Sequence, residues 1–310
     1  MWVRRQSPDI AAGVTTSLEA RAGDESAYVL MGAGDQGTVY GYATGETKAR
    51  LPLPLILAHD ICRRLDTACT DGTITGIHSD GKAQVSVPYD EHGHPEGVPA
   101  VVVSIQHEAS KNLEELEREL RTLIVAPAIE TELPGVTPGV VLVNPSGRFV
   151  TGGPAADAGL TGRKLMVDTY GGLGPHGGGA FSGKDPSKVD RSGAYMARLI
   201  AKTIVDAGLA AECEVAISHV IGKADPVAFN VETRGGGTHP DHVLTDAART
   251  VFPLRPAAII DTLDLRHTRF HPLATYGHFN TSAVAWEWTL PWTTQLREAV
   301  THAHQTTPHQ

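Results

Sequence analysis

A glycine-rich segment that ends in a lysine is the part of the chain best suited to bind an anion. Gly178–Lys184 matches the first seven positions of the P-loop, G-x-x-x-x-G-K, but Asp185 stands where a P-loop has the Ser or Thr that ligates Mg²⁺. Glycine N–H groups, a helix N-terminus and a lysine still attract an anion in any fold. Lys188 lies one helical turn beyond Lys184, and without the glycines this pair would indicate only a solvated helix face. The segment predicts a triphosphate-type site, with a P-loop NTPase as a distant alternative.

Further basic residues favour the same chemistry. Arg163 and Lys164 follow a glycine, and Lys82 precedes a predicted strand, on a chain with a formal net charge of −9. A charge pair at 4 Å gains about 1 kcal/mol in water but about 4 kcal/mol in a partly enclosed site, so clustered cations bind a triphosphate well. Asp157 and Asp190 are natural carboxylates for Mg²⁺, which usually shares its ligands with phosphate oxygens. The acidic balance argues against a general nucleic-acid-binding surface, so we expect no nucleic-acid partner.

A second glycine cluster has the spacing of the dinucleotide-binding fingerprint. Gly32-x-Gly34-x-x-Gly37 matches that motif, but Thr38-Val39-Tyr40 is a poor start for the helix that must follow it. We therefore expect a ligand loop that presents Asp35 or Gln36 to a substrate, with a purely structural tight turn as the alternative.

The histidines give weaker signals. His92-x-His94 lies in a polar turn without a third ligand nearby in sequence, which favours an exposed loop over a metal site. The irregular spacing of His267, His271 and His278 indicates surface or packing residues.

Hydrophobic periodicity predicts both strands and helices around these segments. We expect strands at residues 28–31, 38–42, 83–89, 100–106, 140–143, 165–170, 214–220 and 228–233. We expect helices from Pro54, over 112–124 with Pro127 closing that region, from Asp185 as N-cap to Gly208, and over 242–251 and 255–263. On the helix from Pro54, Leu57, Ile61 and Leu65 form the apolar face and His59 faces outward. Residues 1–27 lack an apolar period and are expected to form a mobile loop.

Length and composition favour a mixed α and β protein of two or three domains. The chain has 310 residues, of which 41% are hydrophobic and 20% charged, and its 33 Gly and 20 Pro exceed what a helical bundle uses. The three cysteines form no C-x-x-C pair, which indicates a reducing compartment. The first residues lack an apolar signal region and proline interrupts the apolar stretch at 51–58, so we expect a cytoplasmic protein without a membrane partner.

Several longer segments, taken in order, resemble the S-adenosylmethionine synthetase (methionine adenosyltransferase) family from residue 6 to about 290. Two resemble its signature segments: Gly32–Gly37 continued by Gly41–Thr47, and Gly177–Ser192. The other segments are Gln6–Ile10, Gln106-His107, Asn144–Phe149, Gly152–Pro154, Gly159–Lys164, Val167–Gly172, Leu254–Pro256 and Tyr276–Phe279. A 16-residue run of chemically demanding residue types is far more specific than either generic glycine motif.

The resemblance implies an α+β fold of repeated units, each with antiparallel sheet plus helices. It divides the chain into a remnant active-site loop at 1–27, a central domain at 28–150, a C-terminal domain at 151–290 and a tail at 291–310. It implies ATP and L-methionine as substrates: the methionine sulfur attacks C5′ of ATP, the whole triphosphate leaves, and it is then cleaved to phosphate and diphosphate. Because the thioether is the nucleophile, the protein must align the substrates and neutralise developing charge rather than supply a nucleophile. Mg²⁺ and K⁺ are the implied cofactors, and active sites between paired subunits imply a homodimer or a dimer of dimers.

The resemblance also assigns roles to single residues. The catalytic cations that would hold the triphosphate are Lys82, Arg163, Lys164 and Lys184. The remaining ATP-binding residues would be Asp80, Gly81, Arg148, Phe149, Asp157 and Ala180. Methionine would be addressed by Gln6, Asp35, Asp157 and Lys188, and Asp190 would support Mg²⁺.

One family motif has no counterpart in this sequence. Family chains carry a further N-terminal segment with Gly-His-Pro-Asp-Lys, whose His contacts the triphosphate and whose Asp binds metal, and no Gly-His-Pro-Asp occurs among the 310 residues. Losing even one preorganised donor to developing charge costs about 10²–10³ in rate. We therefore expect an adenosyltransferase that needs this segment from a partner chain, or a start codon that was set too late. The alternative is a non-catalytic paralogue that binds ATP or triphosphate and pairs with or regulates a full-length synthetase.

Overall fold

The chain folds into two compact units that interleave along the sequence. The structure, a computed structural model, describes residues 7–281 and 283–306, with side chains described as far as residue 303. One unit is Glu46–Thr161, here called the inserted unit, and the other, the split unit, combines Met1–Gly45 with Gly162–Gln310. The split unit thus combines the segments that precede and follow the inserted unit. A single continuous residue range cannot describe it.

Both units contain helices and strands. Within the described ranges the helices are α1 (Pro8–Thr15), α2 (Leu18–Arg21), α3 (Leu53–Asp71), α4 (Leu113–Glu119), α5 (Ala126–Glu132), α6 (Leu165–Asp168), α7 (Val189–Asp206), α8 (Asp241–Val251), α9 (Pro256–Thr262) and α10 (Leu290–Thr306). The strands there are β1 (Gly37–Thr44), β2 (Ile77–Ser86), β3 (Ala100–His107), β4 (Val140–Val143), β5 (Glu212–His219) and β6 (Ala228–Glu232). A π-helical segment, Leu120–Val125, joins α4 to α5, and short 3₁₀ turns lie at Gly153–Ala155, His271–Ala274 and Ala285–Glu287.

The inserted unit packs helices on one face of a mixed sheet. The strand order is β2-β3-β4, with β2 antiparallel and β4 parallel to β3. Residues of β3 are alternately buried, as expected for a strand with one face on the core. The predicted apolar face of α3 is buried in this core, but His59, predicted to face outward, is also buried. The prediction for His59 was wrong because the buried surface of α3 is wider than the single apolar stripe expected from the sequence.

The split unit is built on the antiparallel sheet β1-β5-β6. Helix α7 packs across β1 and β5, and most of its residues are buried. The approach is close at Gly41 of β1, where an added Cβ would lie 2.0 Å from the backbone carbonyl of Ala197 in α7. Only glycine permits this spacing between strand and helix, so the sequence at Gly41 sets how near α7 lies to the sheet.

Three predicted elements near the glycine segments were wrong. The expected loop at 1–27 contains α1 and α2 in its described part, each with a serine N-cap, Ser7 and Ser17. The expected strand at 28–31 is irregular: Tyr28 lies in a turn with a φ of 62°, and no strand follows before β1. The expected strand at 165–170 begins as α6, and Gly171, with a φ of 67°, follows it.

Two helix boundaries also differ from those predicted. Helix α7 begins at Val189 rather than just after Asp185, because residues 185–188 form a turn in which the Asp185 carboxylate accepts from the Ser187 N–H at 2.8 Å. Pro127 lies in the first turn of α5 and does not close the helical region, since a proline is tolerated where no N–H partner is needed. Gly208, with a φ of 69°, follows the end of α7 as predicted.

The structure confirms the α+β class. One sheet is antiparallel throughout and the other is mixed, and helices pack on both. In the described part of the chain no helix combines the length and the apolar character that crossing a bilayer requires.

Candidate functional site

An ion pair at the start of α7 holds two of the predicted site residues together. Lys184 Nζ lies 2.5 Å from Asp190 Oδ2, with side chains 32% and 20% exposed. The pair therefore faces solvent, yet the attraction between its charges is stronger than it would be in open water. The proposed triphosphate lysine and the proposed magnesium carboxylate neutralise each other in this structure.

The glycine turn before this pair is wedged between a strand and a side chain. An added Cβ at Gly177 would lie 1.9 Å from the Thr38 carbonyl oxygen of β1, and one at Gly179 would lie 2.2 Å from Asp190 Oδ1. No other residue type fits at either position without moving backbone or the Asp190 carboxylate. The turn therefore needs glycine for close packing, which differs from the phosphate cradle of a P-loop.

Arg163 and Lys164 approach the same turn from the preceding segment. An added Cβ at Gly162 would lie 3.0 Å from the Cβ of Ala180, so the backbone before these cations touches the glycine segment. Both side chains are exposed, and neither forms an ion pair with another described residue. The split unit thus brings these two cations, Ala180 and the Lys184–Asp190 pair into one region.

The fingerprint-like loop before β1 adjoins the same region. An added Cβ at Gly34 would lie 3.3 Å from Lys188 Nζ, so the amino group of Lys188 lies against this loop. Asp35 is exposed, and its carboxylate accepts from the Gln36 N–H at 2.8 Å. A strand and not a helix follows the loop, as expected from its sequence, which removes the helix N-terminus that a dinucleotide needs. Gln6, the other predicted methionine residue, lies outside the described residues.

The remaining predicted residues belong to the inserted unit. In β2 the pairing register shifts between Ile77 and Gly81, and this irregularity includes Asp80. The Asp80 carboxylate accepts from the Gly153 N–H at 2.7 Å, which ties β2 to the segment before Asp157. Lys82 follows on the exposed side of β2. Asp80 therefore has a structural partner in this unit, while the Lys82 side chain is exposed to solvent.

Two residues to which no role was assigned hold the Arg148–Phe149 segment. The Phe149 N–H donates to Nε2 of His107 at 3.0 Å, and the Phe149 carbonyl accepts from the His107 N–H at 2.9 Å. The Gln106 side chain donates to the Val150 carbonyl at 2.9 Å. Arg148 remains exposed and Phe149 is half-buried. Gln106-His107 was already visible as a family-like dipeptide, but its role depends on contacts with residues more than forty positions away.

Arg191 has a comparable role in the split unit. Its buried guanidinium donates to the carbonyls of Lys184 at 2.9 Å and Phe181 at 2.5 Å, and to the Tyr195 hydroxyl at 2.6 Å. The Tyr195 hydroxyl is also hydrogen-bonded to Nδ1 of His278, which is 1% exposed. Of the two roles expected for His278, at the surface or in packing, the structure supports packing. Hydrogen bonds from Arg191, which directly follows Asp190 in the sequence, therefore hold the main chain that carries Lys184.

The described residues fit a shared Mg²⁺ site but no site made by protein ligands alone. No group of three or more His, Cys, Asp or Glu residues in the described ranges could hold a metal ion. Mg²⁺ is commonly bound by one or two carboxylates with substrate phosphates and water, and the partly exposed Asp190 carboxylate satisfies that requirement. We assign no residue to K⁺.

Most of the chain matches known proteins. Family sequence models described as the S-adenosylmethionine synthetase central domain and C-terminal domain match residues 30–149 and 151–288. A protein from Kosmotoga olearia named S-adenosylmethionine synthase is 48% identical over 287 residues, which cover 92% of this chain and 72% of that protein. A protein of the same name from Petrotoga mobilis is 46% identical over 288 residues, covering 92% and 71%. Every site residue discussed above except Gln6 lies within the matched ranges.

Proposed function

Because the chain belongs to the S-adenosylmethionine synthetase family, we propose that it supplies the central and C-terminal parts of a methionine adenosyltransferase that makes S-adenosylmethionine from ATP and L-methionine. The observation that carries this proposal is the Lys184–Asp190 pair, at 2.5 Å, beside a glycine turn. Exposed Arg163 and Lys164 adjoin that turn without ion-pair partners among the described residues. A compact set of cations on a chain of net charge −9 suits one triphosphate rather than a long polyanion.

In the proposed reaction the methionine sulfur forms a bond to C5′ of ATP while the bond from C5′ to the triphosphate oxygen breaks. The sulfur becomes a sulfonium and the triphosphate leaves with the bonding electrons; water then splits it into phosphate and diphosphate. Lys184, Arg163 and Lys164 neutralise the charge that develops on the leaving oxygens, as preorganised cations do in transition states. Asp35 and Lys188 address the amino and carboxylate groups of methionine.

The family resemblance also assigns nucleotide-binding roles to residues of the inserted unit. Lys82 adds a cation for the triphosphate, and Arg148 with Phe149 border the nucleoside. Asp157 contacts the ribose or the methionine, and Asp80 holds the main chain near it through Gly153. His107 and Gln106 act only by fixing the Phe149 segment.

Asp190 would hold Mg²⁺, which when bound supplies a Lewis acid that neutralises phosphate oxygens. Binding of the metal would compete with Lys184 for the Asp190 carboxylate, since Lys184 now occupies Oδ2. K⁺ and the homodimer or dimer of dimers are further parts of the proposal, and ATP and L-methionine are its substrates.

Synthesis also requires the family part that precedes the matched domains. The two relatives extend beyond the aligned region, which covers 72% and 71% of their lengths. We assign the missing triphosphate and metal contacts to that part, whether it belongs to the same polypeptide or to a partner chain.

The test combines binding with turnover. The 310-residue chain is incubated with ATP, L-methionine, Mg²⁺ and K⁺, alone and with the N-terminal part of a relative, and S-adenosylmethionine is quantified. Calorimetry measures ATP affinity for the wild type, for Lys184→Ala and for the exposed-lysine control Lys48→Ala. Loss of a charged partner costs about 1.5–3 kcal/mol, so Lys184→Ala should weaken binding by about 10- to 100-fold while the control does not.

Product in the reconstituted mixture supports the proposal. ATP binding without product in either mixture, together with co-purification with a full-length synthetase, instead establishes the non-catalytic paralogue. Hydrolysis of ATP without methionine, abolished in Lys184→Ala, would indicate an NTPase.

A further inference from the structure

His176 precedes the glycine turn and bonds to its backbone. The Nδ1 atom of His176 accepts from the Gly178 N–H at 2.7 Å. The ring is half-buried and lies 6.3 Å, centroid to centroid, from the ring of Phe181. Nothing in the family-like segments assigns a role to this side chain.

The bond fixes the protonation of the ring. Nδ1 can accept only when it carries no proton, so the neutral form with hydrogen on Nε2 is the one that fits. Burial lowers the pKa of His176, which favours the same neutral form. Among the described residues that line the small cavity beside His176, the charged one is Asp190 of α7, and Tyr40 of β1 lines the same cavity.

The turn that His176 fixes has little freedom to adapt. Gly177 lies against the Thr38 carbonyl and Gly179 against the Asp190 carboxylate, so a shift of the turn displaces one or the other. Gly178 has a φ of 90°, a conformation that glycine adopts but does not prefer over others. Consecutive glycines can adopt many backbone conformations, so they do not define this turn by themselves. The hydrogen bond from the Gly178 N–H to Nδ1 of His176 restricts the conformations of the turn.

We propose that His176 is a positioning residue that holds the Gly177–Gly179 turn through the Gly178 N–H and thereby places Asp190 and Lys184 for the triphosphate. The Gly178 N–H is occupied by His176 and does not itself bind phosphate. This inference rests on the proposed function for its ligand, but the hydrogen bond can be tested without it.

Two variants separate the acceptor from the ring. In His176→Asn the side-chain oxygen can accept from the N–H two residues ahead, as Asn does in Asx turns, but the ring is lost. In His176→Phe the ring remains beside Phe181 but the acceptor is lost. His176→Ala lacks both and replaces the Phe variant if that variant melts below the assay temperature. His94→Phe, at an exposed histidine of the inserted unit, is the matched control.

Two readouts are used on the 310-residue chain. Hydrogen–deuterium exchange of a peptide that begins several residues before Gly178 and ends at Lys184 reports the Gly178 hydrogen bond. Calorimetry with ATP and Mg²⁺ reports the placement of the site. We expect faster exchange and about tenfold weaker ATP binding in His176→Phe, the size of one lost hydrogen bond. His176→Asn and His94→Phe should match the wild type in both readouts.

The opposite pattern overturns the inference. If His176→Phe behaves as the wild type, or if His176→Asn is as weak as His176→Phe, then the ring packs and the acceptor positions nothing. If the wild type binds no ATP, the proposed function fails, and the exchange comparison still decides whether His176 holds the turn.

Discussion

Lowering the pH from 7 to 5 should destabilise the split unit through one buried histidine, His219 of β5. Its side chain is 2% exposed, and neither ring nitrogen has a hydrogen-bond partner among the described residues. An added Cβ at Gly193 of α7 would lie 3.1 Å from Nε2, which shows how closely the helix covers the ring. Burial without a partner penalises the charged ring and lowers the pKa of His219 to about 4.

The size of the effect follows from proton linkage. The unfolded chain binds this proton with a pKa of about 6.5, whereas folded His219 does so only near 4. Stability from the neutral buried ring is therefore complete above about pH 6.5 and is lost as the pH falls toward the folded value. Between pH 7 and pH 5 this one site should reduce the free energy of unfolding by about 2 kcal/mol.

The assay compares His219→Leu with the wild type in urea denaturation at pH 7 and pH 5. The difference between the two pH values should shrink by about 2 kcal/mol in the variant, because leucine has no proton to bind. His278 is also buried, with a pKa lowered to about 3, and keeps its own contribution in both proteins. His94→Leu, whose side chain is 76% exposed in the wild type, should leave the pH difference unchanged. An equal pH difference in His219→Leu and the wild type would refute the reasoning.

Two substitutions test packing and a buried charge. Gly41→Ala should destabilise the fold by about 3 kcal/mol or more, because its Cβ would lie 2.0 Å from the Ala197 backbone; urea denaturation without that loss contradicts the packing of α7 on β1. Glu287→Leu removes the carboxylate that meets Arg198 Nε at 2.8 Å, where the Arg198 and Glu287 side chains are 0% and 7% exposed. The loss of this buried ion pair should cost about 3–5 kcal/mol. The exposed partner Glu117→Leu, measured in the same way, should cost less than about 1 kcal/mol, and equal losses would contradict the role of burial.

The fold could be predicted from sequence where a strand or helix packs one of its faces against a single hydrophobic core. Strand β3 alternates between buried and half-buried residues, and α3 has a regular apolar stripe, so local periodicity was sufficient for both. The strand predicted at residues 165–170 was wrong, because Leu-Met-Val and Thr-Tyr taken by themselves are typical of strands. Tyr170 instead stacks on the ring of Phe279 at 5.0 Å, a partner more than a hundred positions away. Tertiary contact overrode local propensity there.

The candidate site was predicted in composition but not in its connections. The types and spacing of Lys184 and Asp190 indicated an anion and a metal, but not the contact between the two side chains. The late start of α7 at Val189 leaves residues 185–188 in a turn, and this turn lets Lys184 reach back to Asp190. The supporting bonds from Arg191 and His107 could not be predicted, because a single sequence does not show which carbonyl a distant donor will meet.

The glycine motifs show why short matches misled and long segments did not. Gly32 begins one nucleotide-binding pattern and Gly177 directly precedes another. An added Cβ would lie 2.6 Å from the Gly13 carbonyl oxygen at the first and 1.9 Å from that of Thr38 at the second. Glycine stands there because two backbones touch, a requirement that many folds share and that says nothing about a ligand. A 16-residue run adds the cations, the carboxylate and the buried Arg191 that one particular site needs together. Specificity for function therefore lies in the charged residues between the glycines and in the bonds that hold them.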